Sequence, residues 1–87
     1  MLYVARILNM PCGEQRCSQV VDVAAGKVLS VAPFKGESQS MIFVEEIYLS
    51  SMDDAHAVSD INKELHRSGG ALYAYSADER GVLTRLS

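Results

Sequence analysis

The 87-residue sequence has no tryptophan and only two cysteines, two prolines and two histidines. Cys12 and Cys17 sit close together in "CGEQRC". Two cysteines make no disulfide framework; we expect two unlinked thiols in a reducing compartment, the alternative being a regulatory disulfide across this turn. His56 and His66 lie far along the chain from them, so no four-ligand metal pattern forms and no cofactor or metal is expected. Apolar runs approaching the roughly 18 residues of a membrane-crossing helix are absent, which argues against a membrane partner. The opening "MLYVARILNM" shows no basic leader and no small-residue cleavage site, so it reads as a first strand and not as a signal peptide. A cytoplasmic location is expected. A clustered basic face is missing too: eight scattered Lys and Arg stand against eleven acidic residues, for a net charge of −3. Nucleic acid is therefore not an expected partner. Nor is there a phosphate-cradling glycine loop, because Gly69-Gly70 follows a helical pattern instead of preceding one.

What is present is an ordinary globular composition, 48 % hydrophobic and 22 % charged, with no repeat, linker or low-complexity tract. Residues 1–87 read as a single domain. A chain of this size withdraws only about 60–65 % of its unfolded surface from water. A ligand pocket of roughly 300–1,000 Å³ would consume much of such a core. An enclosed active site within one copy is not expected, whereas a surface groove or a site shared between copies is compatible with the size.

"LYVARILNM" is rich in β-favouring residues and reads as a strand over Leu2–Asn9, although its alternation is imperfect. Pro11 and Gly13 turn the chain. "SQVVDVAAGKVLSVAPF" reads as two strands joined at Ala25-Gly26, with glycine suited to the positive φ of a tight hairpin. "KGESQS" is a polar loop. "MIFVEEIYL" reads as a fourth strand over Met41–Leu49, buried on both faces at its start and exposed from Glu45-Glu46 onward. Ala55, Val58, Ile61 and Leu65 then fall on one helical stripe. Ser51 is placed to cap that helix, with Asp53 and Asp54 in its first turn. Lys63, His66 and Arg67 load its far end, and Gly69-Gly70 stops it. "ALYAYS" and "GVLTRLS" flank the turn "ADERG" as a closing hairpin. The fold class is mainly β with one helix (α+β), in the order ββββαββ. A small antiparallel β-sandwich or partly open barrel is expected, with the helix packed against it.

The first half of the chain resembles the amino-terminal β segment of the amidohydrolase superfamily of metal-dependent hydrolases. The resemblance rests on "ARIL" at 5–8, "VDVAAGKVLSVAP" at 21–33 and "IYLSSMDDAHAV" at 47–58. It implies a detached β domain without the catalytic barrel, which takes roughly 200 or more residues. That segment is mainly structural in the family. Laid on the family's metal motif, Asp54 and His56 match the Asp and the first His, but Val58 stands where the second His belongs. Paired histidines on alternate strand positions can meet one metal because they point the same way; His56 with Val58 cannot. On the helix expected here, His56 projects away from the apolar stripe, beside Asp60.

The remaining candidates have structural explanations. His66 lies where a histidine caps a helix end, with Asn62 one turn earlier and in need of a partner if buried. Glu45 and Glu46 are strand neighbours facing opposite ways, so they form no carboxylate dyad. Ser50, Ser51 and Ser68 have no visible His/Asp partners. Tyr73 and Tyr75 share a face of the fifth strand, and if exposed they make a protein-contact patch. No catalytic residue is assigned. The expectation is a non-catalytic domain acting by protein binding or self-assembly, with a homodimer foremost because an open sheet leaves edges to shield. The alternative is a small-molecule or metal binder at a subunit boundary.

Overall fold

The computed structural model describes residues 1–36, 40–62 and 71–86. These residues form six strands, β1 (Leu2–Asn9), β2 (Gln15–Ala24), β3 (Lys27–Pro33), β4 (Met41–Ser50), β5 (Tyr73–Ala77) and β6 (Leu83–Arg85), and one short helix, α1 (Val58–Asn62). The strands form one sheet in the order β3-β2-β1-β4-β5-β6, with a further β3–β5 contact at Lys27↔Tyr73. Neighbouring strands in the sheet pair antiparallel except that β4 lies parallel to β1, so the sheet is mixed where the sequence led one to expect an antiparallel one. Parallel neighbours need a crossover between them, and here the β2–β3 hairpin supplies it.

That hairpin turns on two residues of positive φ, Ala25 at 53° and Gly26 at 80°. Positive φ at both central positions is the two-residue turn whose twist matches the flanking strands. Gly26 is also a close approach: a Cβ there would collide with the Arg85 guanidinium. Arg85 lies 4.5 Å from the centre of the Tyr73 ring and donates from Nη1 to the Asp53 carbonyl at 2.9 Å. Together with the Val28 N–H, which donates to the Leu72 carbonyl at 2.8 Å, these contacts draw β3 towards β5.

One face of the sheet carries the main core: Tyr3, Ala5, Leu8, Val21, Val23, Ile47, Leu49 and Ala74. Leu8 and Ile47 are fully buried, and a fully buried aliphatic side chain contributes about 1.5–3 kcal/mol over leaving it exposed. A second cluster of Ala55, Tyr75 and Leu83 gathers Tyr48, Met52, Val58 and Ile61 on the opposite face.

The helix starts later than its sequence pattern suggests. Ser51, Asp53 and Asp54 precede it in a non-helical segment, and the first helical residue is Val58. Long-range pairing holds 50–57 out of the helix. Ala57 forms a β-bridge with Val82, and the Leu83 N–H donates to the His56 carbonyl at 2.8 Å. The helix-start carboxylate is Asp60, whose Oδ2 accepts from the His56 and Ala57 backbone N–H groups at 3.0 and 3.1 Å. This is the backward-reaching half of a capping box, with negative charge at the positive end of the helix. The expectations for Lys63, Leu65, His66, Arg67, Ser68 and Gly69-Gly70, for the Asn62 side chain, and for 37–39 in the polar loop lie outside the described residues.

Candidate interaction groove

Three adjacent strands break their alternation at the same row. On β1, Tyr3 and Ala5 face the core, but the next core residue is Leu8; on β4, the packed residues Val44 and Ile47 show the same interval. Cross-strand pairing skips Arg6, Ser18 and Glu45, while the register on either side is unchanged. Ser18 takes up the irregularity with φ of 52°, a left-handed conformation that a non-glycine residue adopts only at a cost of about 1–3 kcal/mol.

Over this row lies an open groove of about 380 Å³, lined by Val4, Ala5, Arg6, Ser18, Phe34, Phe43, Val44 and Glu45. Phe34 is held by its backbone N–H, which donates to the Ser18 carbonyl at 2.9 Å. Its ring meets Phe43 edge-on, with centroids 6.0 Å apart and planes at 84°. The register continues the apolar lining across the sheet, since Val4 pairs with Phe43 on one side and Val20 on the other, and Val20 pairs with Ala32.

The sequence leads one to expect the start of β4 to be buried on both faces; the structure reverses this. Phe43 is 58 % exposed and Ile42 43 %, whereas Ile47 and Leu49, beyond the glutamates, are buried. The physical reason is the layout of the sheet: β5 pairs only with Ile47–Ser50 of β4, so Ile47 and Leu49 are enclosed in the main core, while the start of β4 has no such neighbour among the described residues.

Arg6 and Glu45 close one side of the groove. The guanidinium and carboxylate form an ion pair, with Arg6 Nε donating to Glu45 Oε1 at 2.6 Å. This hydrogen bond, with the charge attraction behind it, holds Glu45 below the usual carboxylate range and raises Arg6 further. Glu46 serves a different partner, accepting from Asn9 Nδ2 at 2.8 Å. The two glutamates are thus separately engaged.

The other candidates are dispersed. Tyr75 is 1 % exposed, its hydroxyl donating to the Met52 carbonyl at 2.5 Å and accepting from the Ala55 N–H at 3.4 Å. It anchors the second cluster and offers no contact surface. Tyr73 is half-buried beneath Arg85. His56 is exposed on the extended segment before α1, not on the helix. Its backbone is held by Asp60 and Leu83. Cys12 and Cys17 are exposed free thiols. Among the described residues no three His, Cys, Asp or Glu side chains gather as a metal site, and no helix is long and apolar enough to cross a membrane.

Sequence reasoning missed Val4, Arg6, Phe34, Phe43 and Glu45. The signal was the imperfect alternation of "YVARIL" and "FVEEIYL", where an apolar-in pattern slips by one residue in both strands. Comparison with protein-family models, with curated proteins and with solved structures gives no match.

Proposed function

We propose that this chain is a small, non-catalytic cytoplasmic domain that works by self-association through the groove-bearing face of its sheet. The observation that carries this reading is the exposure of Phe43 at the rim of an apolar groove that Phe34 and Val44 also line and that has the buried Val4 as its floor. Isolated exposed apolar residues are ordinary, whereas a contiguous patch with a polar rim marks an association surface. The free thiols of Cys12 and Cys17 favour the cytoplasmic part of the reading. Of the two anticipated architectures, the Lys27↔Tyr73 bridge favours the partly open barrel. Descent from the amidohydrolase β segment belongs to the same proposal, supported by the two-residue turn at Ala25-Gly26 directly before Lys27.

A second reading, a binder of a small apolar molecule, is favoured by the groove's volume of about 380 Å³, within the roughly 300–1,000 Å³ of ligand sites. Native mass spectrometry of the untagged chain separates the two. Twice the apoprotein mass is the expected result. A monomer carrying an added mass that is lost on unfolding would replace self-association with the second reading.

A further inference from the structure

Building on that reading of the face, we propose that the groove is the centre of a two-fold interface in which Arg6 of each protomer meets Glu45 of the other. A two-fold contact uses the same patch twice, so the patch must be complementary to itself. This one is. Arg6 and Glu45 occupy the same interrupted row on neighbouring strands, with side chains 63 % and 70 % exposed. Together they are neutral on a chain of net charge −3, so two copies approach through this face without the repulsion that other orientations carry.

The register fixes the axis. A two-fold axis lying in the interface, along the strands and between β1 and β4, superposes β1 of one copy on β4 of the other. It sets each guanidinium over the opposing carboxylate. The same operation sets Phe43 over the groove of the second copy, whose floor is the buried Val4, because Val4 and Phe43 are register partners. A large side chain thus meets a small one, as interdigitating sheet faces require. Strand directions stay aligned, which is the common way for two sheets to pack face to face. A stable interface takes about 800 Å² from each partner; against the chain's 5487 Å², that is roughly 15 % of its surface, an area that one sheet face can supply.

The test is charge reversal followed by mixing. Arg6→Glu and Glu45→Arg each bring like charges together across the axis, and each is expected to weaken self-association at least about ten-fold. Mixed in equal amounts, the two variants regain opposite charges across the axis and form a heterodimer, identified by its intermediate mass. Failure of the mixture to associate overturns the geometry. Retention of dimers by both single variants also overturns it, while leaving self-association standing. A wild-type chain that stays monomeric throughout the micromolar range removes both. Phe43→Ser, checked for native circular dichroism, supplies an arm independent of the charges: it is expected to be monomeric, and a persistent dimer contradicts the proposed axis.

Discussion

The Tyr75 hydroxyl carries more of the architecture than any other polar group in the second cluster. It fixes both Met52 and Ala55, and so helps hold the segment before α1 in the non-helical path set by its pairing with Val82 and Leu83. Removing it leaves the half-buried Met52 carbonyl and the buried Ala55 N–H without that partner, a loss of about 1–3 kcal/mol. Tyr75→Phe should therefore lower the unfolding midpoint in urea without changing the slope of the transition. The same residue gives an alkaline signature. Burial is the main cause raising its pKa, with Asp53 and Asp54 adding to it and the Ala55 N–H and Arg85 opposing. Because the folded value lies above the unfolded one, this stabilisation is complete below the ordinary tyrosine value of about 10 and is lost as pH rises through the folded value. Tyr48 is also raised, by burial and then by Glu46. Ultraviolet titration should show late-ionising tyrosines in the native protein, with one fewer in Tyr75→Phe. Tyr48 and Tyr75 both titrating at the ordinary value would contradict the burial described here.

Among the elements, the β2–β3 hairpin makes the sharpest prediction. Gly26→Ala adds a methyl at positive φ and pushes the exposed Arg85 guanidinium aside, so a destabilisation of about 1–2 kcal/mol, mainly from the left-handed backbone, is expected in thermal or denaturant unfolding. No measurable loss would contradict the left-handed conformation at this position. The strands were legible because each requirement is local: β1 has the limits read from the sequence, and the Ala25-Gly26 turn falls where glycine demands it. The start of α1 was not legible, since Ser51, Asp53 and Asp54 offer the same capping chemistry as a helix start. What overrules them is pairing with Val82 and Leu83, far along the chain. The parallel β1–β4 contact and the burial of Tyr75 are likewise products of long-range topology. The groove was half legible: slipped alternation is visible in two strands, but its alignment into one row depends on register.

At the scale of the whole molecule, the sheet is curled enough to bury one face and only partly covered on the other. The second cluster shields the β4–β5–β6 end of that other face. The Phe34–Phe43 end keeps an aromatic groove open to solvent. A chain of this size has little apolar surface to spare from its core, which makes exposed Phe43 the feature most in need of a function. Sedimentation equilibrium of the wild-type chain beside Phe43→Ser tests that point most directly. The account predicts a wild-type dimer and a monomeric variant whose stability as a monomer lies within about 0.5 kcal/mol of the wild-type monomer's, as for a surface substitution. Equal masses for the two chains at every concentration would contradict it.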